Sequence, residues 1–249
     1  MIEIYNADCI NVMKDIPDQS IDLVLTDPPY GTTKCKWDSI IPLDEMWTQL
    51  KRITKPQTPI VLFAGQPFTS ALIMSNPKWF KYSWVWDKVT ARGHLVAKIR
   101  PMQQTEDIVV FGNKKINYYP VMTLREKLRK DVSVEYSRTS IMGGHTSKEQ
   151  EKITRDKRYP KNIIVRSNAS QKNKLHPTQK PVSVLEYLLQ TYSLEGDKVL
   201  DFAAGSFSTG EACFNLNRDC ILIEKDKEIF STGKERLEKL NAEIYKRKD

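Results

Sequence analysis

The chain is poor in the residues that build metal and disulfide scaffolds. Its four cysteines, Cys9, Cys35, Cys213 and Cys220, and its three histidines are scattered over 249 residues with no Cys-x-x-Cys pair. Such spacing is expected to hold neither a zinc ion nor a disulfide framework. Long apolar runs are also missing, none approaching the roughly 18 residues that a membrane span needs. The start, MIEIYNADCI, has neither a basic stretch nor a small-residue cleavage site, so a soluble cytoplasmic protein with no membrane partner is expected. Ten glycines and thirteen prolines are too few for a collagen-like or low-complexity chain.

What is present describes a globular protein. The chain is 40% hydrophobic, with five tryptophans and eight phenylalanines, enough apolar material to build a core. At about 100 to 200 residues per domain, its length allows one large domain, or one domain with a sizeable insertion. Short runs rich in β-branched residues recur at 2–5, 21–25, 60–63, 82–86, 108–111, 199–202 and 220–223. Several are near-continuous rather than alternating, as strands buried on both faces are. Stretches of helical period lie at 43–53, 182–192, 209–216 and 225–245. The expected fold is therefore α/β and Rossmann-like, a mostly parallel twisted sheet of about seven strands with helices on both faces.

Charge is distributed unevenly. The whole chain has 39 Lys+Arg against 31 Asp+Glu, a net of +8. The polar stretch from Asn113 to Lys180 has 17 basic and 6 acidic residues, a net of +11, so the remainder stands at −3. Two readings fit such a stretch: a solvated insertion, or a surface that contacts nucleic acid.

Two motifs carry chemistry. Asp27-Pro28-Pro29-Tyr30-Gly31 follows the apolar run IDLVL, and its two prolines end the strand in a rigid turn. Open α/β sheets bind ligands at that edge. A carboxylate, free carbonyls and an aromatic ring suit an exocyclic amino group on a planar base: the acceptors take its hydrogens and the ring stacks. The second motif is VLDFAAGSFSTG at 199–210, a strand entering a small-residue loop and then a helix, with Glu224 closing the next strand. Glu224 falls about 20 residues after Gly205, where acidic groups meet ribose hydroxyls in nucleotide-binding α/β units. The loop lacks a G-x-G-x-x-G, so a nicotinamide cofactor is set aside. Upstream stands His176-Pro177-Thr178-Gln179-Lys180-Pro181. Pro181 suits a first helical turn, while His176 has no nucleophile or carboxylate partner in view that would make it a catalyst.

Taken in order, IDLVLTDPPYG, IVLFAGQPF, YSWVWDK, EDIVVFG, HPTQKPVSVLEYLL and the closing segment resemble the amino-group (adenine-N6 or cytosine-N4) DNA methyltransferases that use S-adenosylmethionine. The order is that of their β arrangement, with the catalytic half first and the cofactor loop last. The resemblance implies a catalytic half at 1–112, a target-recognition insertion at 113–175 and a cofactor-binding half at 176–249. It implies transfer of a methyl group to a base rotated out of double-stranded DNA, leaving S-adenosylhomocysteine and needing no metal. Adenine N6 is the first choice, because aspartate heads this motif more often in adenine enzymes and serine in cytosine-N4 enzymes.

The resemblance gives Asp27, Pro28, Pro29 and Tyr30 the catalytic roles. It gives the cofactor Asp8, Asp27, Lys180, Pro181, Phe202, Gly205, Ser206 and Glu224. DNA contacts are expected from Arg138, Lys148, Lys152, Arg155, Lys157, Arg158, Asn162 and Arg166. Such enzymes are often dimers, and the resemblance implies a bacterial or phage-encoded modification enzyme of the restriction-modification kind, with a stand-alone enzyme fitting the short length. Two residues depart from the pattern: Glu211 stands where a small or apolar residue is usual, a benign change because acidic side chains suit a first helical turn, and Phe207 stands where a second glycine is usual. Its ring either narrows the methionine side of the cofactor pocket or turns into the core. In the first case the chain would be a non-catalytic DNA-binding protein on a methyltransferase scaffold.

Overall fold

A computed structural model describes residues 1–32, 39–132, 152–168, 179–240 and 244–245. They form two compact units, one of Met1–Tyr119 with Asn162–Asp249 and one of Pro120–Lys161.

The larger unit is built on β1 (Ile2–Tyr5), β2 (Leu23–Thr26), β3 (Ile60–Ala64), β4 (Phe80–Arg92) and β5 (Gln103–Phe111). It adds β8 (Ile163–Val165), β9 (Lys198–Asp201), β10 (Asp219–Ile223) and β11 (Ile244–Tyr245). These make one nine-stranded sheet in the order β11-β1-β10-β9-β2-β3-β5-β4-β8. All neighbours run parallel except β5, which is antiparallel to β3 and to β4. The seven runs read from sequence are all strands of this sheet. Its two further members, β8 and β11, are three and two residues long, too short to show a period.

The central strands explain why their sequences are continuously apolar. Every residue of β2 (LVLT) and β3 (IVLFA) is buried. Odd and even positions pack into different layers: Leu23, Leu25, Val61 and Phe63 into one, Val24, Ile60, Leu62 and Ala64 into the other. One layer is closed by α4 (Val182–Tyr192), α5 (Ser208–Asn215) and α6 (Lys227–Lys239), through Val184, Leu188, Ala212 and Leu237. The other is closed by α1 (Cys9–Asp15), α2 (Leu43–Ile53) and α3 (Phe68–Ser75), through Met13, Trp47, Leu50 and Leu72.

The helix α2 shows the local logic. Met46, Trp47, Leu50 and Ile53 form its buried stripe, Asp44 and Glu45 sit in the first turn, and Lys51 and Arg52 in the last. The charges complement the helix dipole. Two helices are not visible as helical periods in the sequence: α1 has only seven residues, and α3 has eight. The last helical stretch is also shorter than its sequence period, because α6 ends at Lys239 and Ile244–Tyr245 joins the sheet beside β1.

The smaller unit contains β6 (Thr123–Val132) and β7 (Lys152–Arg158), an antiparallel two-stranded ribbon. Within the larger unit, the residues where the chain leaves and re-enters it are held by main-chain bonds. The Tyr119 N–H donates to the Thr191 carbonyl at 2.8 Å, and the Asn162 carbonyl accepts from Val85 N–H at 2.8 Å.

Candidate active site

The site lies at the carboxyl edge of the sheet, where β2 and β9 are neighbours in its middle. Thr26, the last residue of β2, donates its hydroxyl to Asp201, the last of β9, at 2.5 Å. The Asp27 turn and the loop after β9 therefore open on one side, as switch-point geometry requires. Between them is a cleft of about 420 Å³ lined by Asp8, Asp27 to Tyr30, Phe202 to Ser206, Glu224 and Lys180, among others. The two motifs read separately in the sequence thus line one cavity.

At one end, four charges and a phenol form a closed network. The Lys180 ammonium lies 2.7 Å from Asp27 Oδ2 and 2.7 Å from Glu106 Oε1. Lys88 holds the other oxygen of Glu106 at 2.6 Å. The Tyr30 hydroxyl lies 2.6 Å from Asp27 Oδ1 and 3.0 Å from Glu106 Oε1. The Tyr30 ring stacks on Phe68 with centroids 5.3 Å apart, and the Lys180 ammonium stands 5.9 Å from the ring centre. The Pro28 carbonyl accepts no hydrogen bond from the described residues.

Burial and charge act differently on the two carboxyls. Burial raises the pKa of Asp27, and the nearby Glu106 charge adds to it, with Lys180 opposing. Burial would raise Glu106 too, but the ammonium groups of Lys180 and Lys88 outweigh it and hold that carboxyl at about 2. Burial would depress Lys180, yet two carboxylates keep it protonated, its pKa raised. Burial, with Asp27 and Glu106 beside it, raises Tyr30 well above its ordinary value. At neutral pH the cluster is ion-paired, with an un-ionised phenol as donor.

The other end is a loop held by amide hydrogen bonds to a carboxylate. Glu224 accepts from Gly205 N–H at 2.9 Å and from Asp226 N–H at 2.7 Å. Burial raises its pKa, and these amides counter the rise. Gly205 has φ +53°, and a Cβ there would meet nothing within 4 Å, so its backbone faces open cleft. Asp8 caps α1, accepting from Ile10 N–H at 3.0 Å, and pairs with Lys225 at 3.1 Å. Asp201 is buried, which raises its carboxyl to about 6 against hydrogen bonds from Thr209, Thr26 and the Ala203 amide.

Phe207 takes the second of the two paths open to it. It adopts the left-handed conformation at φ 59°, ψ 35° ahead of α5, which accounts for glycine being usual there. Its ring is fully buried, crossing Phe230 edge to face at 5.5 Å and lying against Gly233. It is not among the residues lining the cleft.

Asp8, Asp27, Pro28, Pro29, Tyr30, Lys180, Phe202, Gly205, Ser206 and Glu224 line the cleft. Pro181 is the N-cap of α4 and lies outside that lining. Lys180 is the counter-ion of Asp27 and Glu106. Lys157 and Arg158 lie on β7, while Asn162 and Arg166 flank β8 at the sheet edge. Lys152 and Arg155 are on β7, but their side chains lie outside the described residues, as do Arg138, Lys148 and His176.

Three residues of the site were not singled out from sequence: Glu106, Lys88 and Arg236. Glu106 and Lys88 sit within the strand runs EDIVVFG and YSWVWDK, and only the strand register, Trp86 opposite Glu106, brings them together. Arg236 is buried in α6 and reaches Gln179 Oε1 at 2.5 Å, Ser208 Oγ at 2.8 Å and Glu211 Oε2 at 3.3 Å. It ties the segment before α4 to the first turn of α5. A basic residue on an otherwise ordinary amphipathic helix carries no sequence signal for that role.

Comparison with known proteins agrees with this geometry. The type II methyltransferase M.HpaI of Haemophilus parainfluenzae is 26% identical over 93% of this chain and 73% of its own length. The DNA adenine methyltransferase YhdJ of Escherichia coli K12 is 24% identical over 94% of this chain and 82% of its own length. The crystal structure of an M1.HpyAVI–SAM complex superposes with a TM-score of 0.63 at 26% identity, covering 95% of this chain and 100% of that one. A cytosine-N4-specific PvuII DNA methyltransferase shares the fold, with a TM-score of 0.67 at 16% identity. The family model described as DNA methylase, for the N6 and N4 enzymes, matches residues 21–235, and the chain belongs to that family.

Proposed function

We propose that the chain transfers a methyl group from S-adenosylmethionine to N6 of an adenine rotated out of duplex DNA, as a site-specific modification enzyme. One observation carries the reading. The Asp27-Pro28-Pro29-Tyr30 turn and the Gly205 loop with Glu224, from distant parts of the chain, line one cleft.

The residues present fit the cofactor. The cleft's 420 Å³ is within the range of small-ligand pockets, Gly205 leaves backbone room, and the Glu224 carboxylate stands at the pocket where a ribose would meet it. Phe202 and Asp8 line the same pocket. Bound there, the sulfonium supplies an electrophilic methyl group. Among the described residues no group of His, Cys, Asp or Glu could hold a metal ion.

The chain's own groups act on the base. The amino lone pair of adenine is delocalised into the ring, and hydrogen bonds from its N–H groups to Asp27 and the Pro28 carbonyl favour a pyramidal, nucleophilic nitrogen. For Asp27 to accept, Lys180 releases Oδ2 and stays neutralised by Glu106, so no charge is stranded. The raised pKa of Asp27 suits it to take the proton that leaves the methylated nitrogen. Tyr30, braced by Phe68, offers a stacking face. No covalent enzyme intermediate is required, so the acceleration comes from alignment and electrostatics.

The insertion at 113–175 is assigned the recognition role, with Lys157, Arg158, Asn162 and Arg166 its described candidates. The relatives' names support DNA as substrate, YhdJ's supports adenine, and a homodimer is the expected assembly. The placement of Phe207 away from the cleft removes the reason for a non-catalytic reading.

The test incubates labelled S-adenosylmethionine with unmethylated mixed-sequence duplex DNA and analyses the nucleosides. Label in N6-methyladenine, lost in Asp27→Ala, is expected. Label in N4-methylcytosine instead would assign the alternative base, and label in neither would defeat the reading.

A further inference from the structure

The connection between β4 and β5 carries features that methyl transfer does not use. From Lys88 to Thr105 there are four Lys or Arg residues and no acid. Lys88 and Arg92 line the cleft. Past Asp87 the strand pairing is interrupted, resuming at Arg92 opposite Gln103. Within the break Val89 holds φ 67°, a strained value for a β-branched residue. It is kept there by the Asp87 carboxylate, which accepts from Val89 N–H at 2.8 Å and from Gln104 Nε2 at 2.8 Å. The bulge thus sets both the aim of Lys88 and the direction of the hairpin tip.

The tip itself is ordered by its backbone. Gly93, at φ 95°, opens a helical turn, continued by hydrogen bonds from the N–H groups of Val96, Ala97, Ile99 and Arg100. Leu95 lies in the 3-10 turn His94–Val96 and Ile99 in the turn that follows it. They are 88% and 86% exposed, an arrangement that folding alone does not favour. Arg92, Lys98 and Arg100 have no ion-pair partner among the described residues.

We infer that this tip is a wedge that enters duplex DNA beside the target, Leu95 and Ile99 filling the gap left by the extruded base and Arg92, Lys98 and Arg100 meeting the flanking phosphates. Apolar side chains at a basic tip suit the interior of a base stack between two phosphate rows. A second copy docked by a two-fold contact would set the same cations against each other. The strand that carries the wedge also carries Lys88 into the reacting network, so insertion and base capture are mechanically joined. The inference rests on the methyl-transfer reading.

Sequencing native DNA labelled by the wild type maps the site. Two duplexes of that site are then compared, one fully paired and one with an abasic site opposite the target adenine, which removes much of the cost of extrusion. Leu95→Ala/Ile99→Ala is expected to lose about tenfold or more in methylation rate on the paired duplex and less than about twofold on the abasic one. Cofactor affinity stays unchanged, and Leu95→Met/Ile99→Met restores the rate. No loss on the paired duplex, or equal loss on both, overturns the inference while methyl transfer stands. Equal loss with a change from dimer to monomer by light scattering also overturns it, marking a self-association surface. A wild type that labels no DNA defeats the methyl-transfer reading itself, and the wedge with it.

Discussion

The ammonium of Lys180 lies as close to Glu106 as to Asp27, 2.7 Å from each. One buried cation thus neutralises a carboxylate on β5 and another in the turn after β2, and in the proposed reaction Glu106 keeps it in place when Asp27 turns to the base. Glu106→Gln removes that anchor and leaves Lys180 committed to Asp27. The expected result is a fall in kcat of about tenfold or more with cofactor affinity nearly unchanged. Because the Glu106 charge raises Asp27, its removal lowers the Asp27 pKa, and the acidic limb of the rate profile moves to lower pH. Steady-state kinetics across pH checks both effects; an unshifted acidic limb would contradict the coupling.

Phe207 and Gly233 are a matched pair. A Cβ on Gly233 would sit 2.6 Å from Cγ of Phe207, against a fully buried ring with no flexible end to move aside. Gly233→Ala should cost about 1–3 kcal/mol by overpacking, measured by urea unfolding. Calorimetry should also show weaker cofactor binding, since Phe207 is two residues from Gly205. Gly233→Ala with Phe207→Gly should recover the affinity.

Asp201 gives stability a pH dependence of defined sign. Its folded carboxyl is raised by burial to about 6, above the ordinary aspartate value near 3.9, so the folded state binds the proton more tightly than the unfolded chain. The stabilisation is complete below the unfolded value, near pH 4, and is lost as pH rises through about 6. Asp201→Asn keeps an acceptor for Thr26 and stays neutral throughout. It should unfold at a higher temperature than wild type at pH 8, with the gap, of the order of 3 kcal/mol at most, closing by pH 4. Scanning calorimetry at the two pH values decides it.

The basic ribbon of β6 and β7 is expected to hold phosphates. Lys157→Glu/Arg158→Glu should weaken DNA binding and make the slope of log K against log salt shallower by about 2, at roughly 0.9 per phosphate contact. Cofactor affinity should not change. Titrations at several salt concentrations provide the measurement, and an unchanged slope would return these residues to the solvated surface.

Much of this was legible beforehand because its signals are local. Buried parallel strands read as unbroken apolar runs, and Asp27 and Gly205 announce themselves by sitting at strand ends among prolines and small residues. The Lys180–Glu106 bond was not legible, because it depends on which strand lies beside which and in what register. Glu106 sits within β5 just ahead of a run that reads as ordinary core, and the antiparallel pairing of β4 with β5 is needed to place it beside Lys88. Phe207 was ambiguous for a similar reason: its neighbour Gly233 lies on a helix 26 residues on, and only packing reveals the space left for the ring.

The strand order also bears on how the chain can fold. Among the described residues β1 pairs with β10 and β11 alone, and the open side of β2 is closed by β9. During synthesis the first strand has no sheet partner until the stretch beyond Asp219 has emerged, and β2 keeps an unpaired apolar edge until Lys198 follows. The nascent chain therefore exposes an unpaired apolar border until those strands arrive. Closure of the sheet at β1 and β2 waits for strands far along the chain, a non-local step that slows folding and leaves open edges in the meantime.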